Sequence, residues 1–450
     1  MSTEHRVPAV LPEETASEPP RDPAAGRTPS RVGRVLQGPL GLLRSGGFLD
    51  LLIAQVVPLG VSFALTLVTA AFLGPELRGV LTYLMTGALL CGALAYGSLH
   101  VPVVENLRTR DRSAFRHGVR LVGGLSAILS LTGLVLVLVG SSGDTTSNGI
   151  PSTVTQTGWV LVGGALVVVQ LFSGRVLQGL ARNREYQVTV VVQSLLYLLG
   201  AGATLLTTRS PLPVFAAWAL SVVAGVVLTA YYLRRHFREG GPWVWSGSPW
   251  GRFLRSATAN NIGSIGQMVM LRADVLVVAL LLGPAAAGVY GLALSLTELA
   301  LIIPEVFALS VFGSRARLDG ERWAGELHRT VRLNAALSVV AALGIAVLAL
   351  LLALGPLSDF DGLVTLVLIV LPGVVVAGYS RVALSGLQAL GSSAHVWMFG
   401  VLALALSVGY VPAAMIGGSV GTAVMSSVAY AVTAVFLKRS LRSALSGSAA

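Results

Sequence analysis

Twelve long apolar runs, separated by short polar or Gly-Pro turns, organise the chain from residue 48 to residue 437. They fall at about 48–73, 79–104, 118–140, 158–180, 187–207, 211–233, 256–282, 287–313, 331–354, 363–387, 394–416 and 419–437. Each is about 20 residues or more, the length at which a helix crosses the hydrocarbon core of a bilayer. Several contain helix-breaking residues, among them Pro58, Gly60, Pro304 and Pro372. Membrane helices tolerate these because neighbouring helices re-satisfy the freed backbone groups. The pattern predicts an all-α polytopic membrane protein of twelve transmembrane helices.

Two of the turns are copies of one another. Residues 73–81 read LGPELRGVL and residues 282–290 read LGPAAAGVY, 209 positions apart. Gly74, Pro75 and Gly79 match Gly283, Pro284 and Gly288. In each copy Gly-Pro ends one apolar run and a further Gly opens the next. A second echo joins FSGRVLQGLARN (172–183) to YSRVALSGLQALG (379–391), with Arg175 and Arg381 near the same end of the fourth and tenth runs. Runs one to six and seven to twelve therefore read as two copies of a six-helix unit that start on the same side of the membrane. Transporters built on such parallel repeats bind substrate between the halves and rock them for alternating access.

Charge sets the orientation. Arginines cluster in ENLRTRDRSAFRHG, ARNRE, the stretch from RRHFREGG to WGRFLR, SRARLDGERWAGELHRTVR and LKRSLR, whereas the alternate loops are nearly bare of them. By the positive-inside rule both termini are cytoplasmic, in a cell inner or plasma membrane. Arg78, beside Glu76 in the first Gly-Pro turn, counts here as a loop residue on the outside. Composition agrees: 54% of residues are hydrophobic, 11% charged, and the mean hydropathy is +0.78, against about 25% charged in soluble domains. The net charge of +11 thus reads as membrane topology and not as nucleic-acid binding. Residues 1–46, rich in Pro, Ala, Ser and charge, read as a disordered cytoplasmic tail without the apolar core of a cleaved signal. The remaining boundaries are a bundle at 47–235, a cytoplasmic linker at 236–255, a second bundle at 256–438 and a tail at 439–450. Cys91 is the one cysteine; it excludes an intrachain disulfide and reads as a small core residue.

The segment AFLGPELRGVLTY, with MLRADVLVVALLLGPAAAGVYGLA and PEVFALSVFG, resembles the Wzx-type polysaccharide flippases of the multidrug/oligosaccharidyl-lipid/polysaccharide (MOP) exporter superfamily. The resemblance covers all twelve runs but not the tail. In that family the seventh helix often carries a basic–Asp pair followed by a small-residue turn and a Tyr, which are Arg272, Asp274, Gly283, Gly288 and Tyr290 here. It implies a MATE-like fold with a central cavity between the halves. It also implies a polyprenyl-diphosphate-linked oligosaccharide as substrate, flipped outward for a glycan polymerase or ligase to use. Drug exporters of the same superfamily share the two halves. The peptidoglycan-precursor flippases typically carry two additional helices, which are not found here.

Charges at membrane depth are costly and mark cavities or partners. Arg272 lies eleven residues before Gly283, about 16 Å from the turn at helical rise, and Glu298 lies at similar depth on the next helix, where the two can pair. Asp274 is about 200° around the helix from Arg272 and shares no face with it. Guanidinium forks match phosphate oxygens, so Arg272, Arg175 and Arg381 are candidates to line a cavity that takes a diphosphate. Each also has a structural reading, as an ion pair or as a side chain reaching the interface. Asn260, Asn261 and Gln267 are candidate sugar ligands or interhelical glue, as are Gln170 and Gln193. Asp274, Glu298 and Glu305 are candidates for a coupling H+ or Na+. His100 and Glu105 read as interfacial.

No nucleotide-binding loop, metal-ligand cluster or catalytic constellation is present, so the expectation is a non-enzyme without a cofactor. The leading reading is the flippase. A cation-coupled drug or small-molecule exporter is the first alternative, weakened by the absence of an acid deep in the first six runs. A non-transporting scaffold of a glycan-assembly complex is the second.

Overall fold

The structure is a computed structural model that describes residues 46–108, 111–141, 151–180, 182–239, 250–251, 253, 261–315 and 320–447. The chain divides into units 1–53 and 54–450; the architecture below is that of the second. The tail up to residue 45 and Asn260 lie outside the described residues.

The helices are α1 (Gly46–Tyr96), α2 (His100–Arg108), α3 (Ser113–Ser141), α4 (Thr153–Gly179), α5 (Asn183–Thr207) and α6 (Pro211–Glu239). There follow α7 (Asn261–Leu282), α8 (Pro284–Glu298), a 3-10 turn Leu299–Leu301, α9 (Ile302–Ser314), α10 (Gly320–Leu354), α11 (Leu363–Ala389), α12 (Ser393–Val408) and α13 (Tyr410–Gly447). Ten of these stretches are long and apolar enough to cross a membrane, α8 and α9 counting as one. Two are each a pair of helices meeting at a glycine: α1 breaks at Gly74 (φ 69°) and α13 at Gly418 (φ 59°). With α12 as the first part of the eleventh span, these breaks yield twelve spans in two halves.

Sequence periodicity placed most spans within a few residues, and the exceptions have local causes. The second span stops at Tyr96 instead of running to residue 104, because Gly97 and Ser98 both take positive φ (52° each) and turn the chain into α2. The eighth span is not one helix. Pro304 lacks the N–H that would bond four residues back, and the helix slips into the 3-10 turn just before it. The Pro304 ring fits there because its neighbour on α11 is Gly378, where a Cβ would sit 2.7 Å from the ring.

Three apolar clusters hold the bundle. One, spanning α7 to α13, includes Tyr290, Leu296, Val367, Phe399 and Tyr430 and receives Ala70 from α1. The other two belong to the first half: one joins α1, α4, α5 and α6 through Leu81, Leu84, Phe215 and Trp218, and one joins α2, α3, α4 and α6 through Val103, Phe172 and Leu233. Large apolar side chains also point outward, such as Leu131, Leu199, Leu206, Leu220 and Ile416. An apolar exterior of this kind fits lipid as the surrounding solvent, and the chain is a multi-pass membrane protein.

The repeated Gly-Pro turn is the joint between the halves. A Cβ on Gly79 would lie 1.7 Å from the Pro284 carbonyl oxygen, and one on Gly288 would lie 1.9 Å from that of Pro75. Each copy of the motif thus supplies the glycine that admits the other copy's proline carbonyl. One turn further along, a Cβ on Gly291 would lie 2.5 Å from the side-chain methyl of Thr82. The positive φ of Gly74 and Gly283 (69° and 90°) makes the two bends; the missing Cβ atoms of Gly79 and Gly288 let the backbones touch.

Candidate functional site

Polar and charged groups inside the bundle fall into several separate arrangements. In the second half, Arg272 of α7 meets Glu298 at the end of α8 through two contacts, Nη1 to Oε1 at 3.0 Å and Nη2 to Oε2 at 3.1 Å. Both side chains are about 30% exposed (29% and 30%), so this fork-to-fork pair lies in a wall and not in the sealed core. On the other side of α7, Asp274 is fully buried. Its carboxylate accepts from the Tyr290 hydroxyl (2.9 Å), the Ser426 hydroxyl (2.8 Å) and the Val275 N–H (2.8 Å). Removing a carboxylate from water is tolerated only with such partners. The network ties α7, α8 and α13 together, with Tyr410 adding a bond to the Met270 carbonyl at 2.7 Å.

Arg381 of α11 contacts Glu305 of α9 as an ion pair. Arg175 of α4 is exposed and donates to Gln178 one turn along at 3.1 Å. Of the three candidate phosphate ligands, Arg272 and Arg381 each face a carboxylate of their own, and Arg175 near the end of α4 bonds the neutral Gln178. Neighbouring opposite charges stabilise both paired guanidinium groups locally; the depth of the residues along their helices allowed the Arg272–Glu298 pair and gave no sign of Glu305–Arg381. Asn261 sets its side-chain amide against Gly97, 2.8 Å from a Cβ there, which makes it a contact between the halves. Gln267 is half-buried on α7, and Gln170 donates to Gln193 at 2.6 Å. Near Arg175, His100 of α2 stacks on and hydrogen-bonds Tyr96; burial and the Arg175 charge push its imidazole down to about 4.

The first half holds a cavity of about 180 Å³ between α1, α5 and α6. Arg78, assigned to an outside turn by its place in the Gly-Pro motif, is instead 7% exposed and lines this cavity. The side chain folds back along α1 because Gly74 reverses the chain, and Nη1 reaches the Thr69 hydroxyl at 2.9 Å. Counting it as a topology charge hid it; its position directly after a helix break was the available signal.

A groove of about 570 Å³ runs between α3, α4 and α6. Its walls are apolar, with Val119, Val122, Val169, Phe172 and Leu233, and Arg112, Arg234 and Arg238 stand at the end where α3 begins and α6 finishes. Arg112 is fixed by donation to the Phe237 carbonyl at 2.7 Å and by stacking 4.7 Å above the Phe237 ring. By sequence these arginines read only as positive charge at helix ends on the inside. No group of metal-binding side chains occurs among the described residues.

No family model and no curated protein sequence matches the chain. Solved structures do. An inward-facing multidrug resistance MATE family transporter of the MOP superfamily matches with a TM-score of 0.58 at 14% identity, over 88% of this chain and 96% of that one. A MATE in complex with MaL6 matches with a TM-score of 0.61 at 15% identity, over 87% and 95%. The fold is that of the MATE transporters. A MOP superfamily transporter from Pyrococcus furiosus Vc1 (DSM3638) matches with a TM-score of 0.56 at 13% identity, over 87% and 94%; its described feature is a reversed polarity of the binding pocket that suggests a different function. The MATE fold consists of twelve helices in two halves, as here, and the Gly79–Gly288 joint lies where the halves of this chain meet.

Proposed function

We propose that the protein is a flippase that moves a polyprenyl-diphosphate-linked oligosaccharide from the cytoplasmic to the outer leaflet by alternating access between its halves. The observation that carries this reading is the groove between α3, α4 and α6, whose two ends differ in chemistry. Its apolar walls suit an isoprenoid chain. The arginines at one end suit a diphosphate, since guanidinium forks bind phosphate oxygens in pairs. Arg175, in the same half, adds a cation at the end of α4. A cationic drug meets repulsion from such a lining, and this half presents no buried carboxylate among its described membrane-spanning residues.

The exporter reading draws on a different observation. Asp274, with Tyr290 and Ser426, is a buried carboxylate able to exchange a proton or cation, and neighbours of the same fold are multidrug transporters.

The test is mass spectrometry of extracted polyprenyl-diphosphate lipids from cells lacking the protein. Accumulation of a completed repeat unit is expected, reversed by the wild type and not by the Arg234→Gln/Arg238→Gln double variant. An unchanged lipid pool in cells that make the glycan refutes the flippase and leaves the exporter.

A further inference from the structure

Arg78 is a buried cation of the first half with no carboxylate paired to it among the described residues. The residue is 7% exposed, its buried Nε has no hydrogen-bond partner, and Nη1 donates to a neutral hydroxyl. Among the described residues, no carboxylate lines the cavity it faces. Thr69, which accepts from Arg78, is itself held by donation to the Leu65 carbonyl at 2.7 Å. A buried charge without an opposite charge is expensive, and a buried N–H without an acceptor signals a missing partner.

We propose that this cavity is an oxyanion site, taking one carboxylate- or phosphate-sized group against Arg78. The volume of about 180 Å³ admits such a group together with a few waters. The lining supplies donors. The hydroxyls of Ser62 and Thr66 border it, and Gln193, which receives Gln170 on its carbonyl oxygen, keeps its amide hydrogens for another partner. Ser62 is exposed and Thr66 half-buried, so entry is from the side of α1, while Trp218 and Ser221 close the back. Arg78 lies four residues beyond the Gly74 break, about 6 Å along the helix. The site therefore sits toward the end of the bundle that carries the joint between the halves, opposite the end where Arg234 and Arg238 stand. It is distinct from the groove, and it stands whether or not the cargo is a lipid-linked glycan.

The experiment titrates the purified full-length protein in nanodiscs of neutral lipid with inorganic phosphate and, separately, with glucuronate, at constant ionic strength. The readouts are calorimetry and Trp fluorescence. Saturable binding of at least one anion is expected, with a fluorescence change that disappears in Trp218→Phe. Arg78→Gln weakens it by about tenfold or more, Arg78→Lys weakens it less, and the exposed Arg209→Gln leaves it unchanged. Preference between the two anions assigns the site to phosphate or to a sugar acid. If Arg78→Gln does not fold, the Ser62→Ala/Thr66→Val double variant keeps the cation and removes two donors, and binding weakens by a few-fold. No saturable binding of either anion up to about 100 mM overturns the proposal. So does an unchanged affinity in a folded Arg78→Gln, or in the double variant where that one fails to fold.

Discussion

Replacing Gly79 and Gly288 with alanine tests whether the two Gly-Pro motifs form one reciprocal joint. In each single variant the new Cβ starts 1.7 or 1.9 Å from a backbone carbonyl oxygen of the opposite half. Neither oxygen belongs to a flexible side chain, so the helices must part by roughly 1.5–2 Å to restore van der Waals distance. Overpacking of this kind costs about 1–3 kcal/mol. Alanine also gains up to about 1 kcal/mol of helix propensity over glycine, so a net loss reports the clash itself. Gly60→Ala supplies that gain alone, because nothing lies within 4 Å of its Cβ, and is expected to be neutral or stabilising. The decisive quantity is the double variant. Once one alanine has parted the halves, the second meets a joint already opened, so the two losses are sub-additive by about 0.5–3 kcal/mol. Thermal unfolding of the purified protein in one detergent, followed by Trp fluorescence, ranks wild type above the singles, with the double close to the worse single. Silent single variants, or losses that simply add, refute the reciprocal joint.

Tyr290→Phe and Ser426→Ala each remove one donor from the buried Asp274 carboxylate; each should cost about 1–3 kcal/mol, and an unchanged melting temperature in both would show that the network carries no stability. In a double-mutant cycle, Arg272→Gln and Glu298→Gln should couple by about 1 kcal/mol, since the fork geometry is good but the pair is partly exposed; zero coupling contradicts the pairing. His100 is held down to about 4 from an ordinary 6.5, so its neutral ring is the stabilising form. That stability is complete above about pH 6.5 and is lost as pH falls through about 4. Melting temperature should therefore drop between pH 6.5 and 4.5 in the wild type and drop less in His100→Asn; parallel curves would remove His100 from the account.

Hydrophobic run length determined that this chain is a helical membrane protein and where most of its spans fall, and the copied Gly-Pro turns marked the division into two halves. Those features follow from local physics: a bilayer fixes how many apolar residues a helix needs, and Gly-Pro breaks a helix wherever it stands. The pairing of Arg272 with Glu298 was legible too, because depth along two consecutive antiparallel helices is simple arithmetic. The tertiary structure decided the rest. Glu305 meets Arg381 across 76 positions of chain, and Asp274 meets Ser426 across 152; no periodicity reports which helices become neighbours. Arg78 shows the limit most plainly. In sequence it is a charge in a turn, while in the fold a single positive-φ glycine before it turns the side chain inward, to a cavity that α1 shares with two helices more than a hundred residues away.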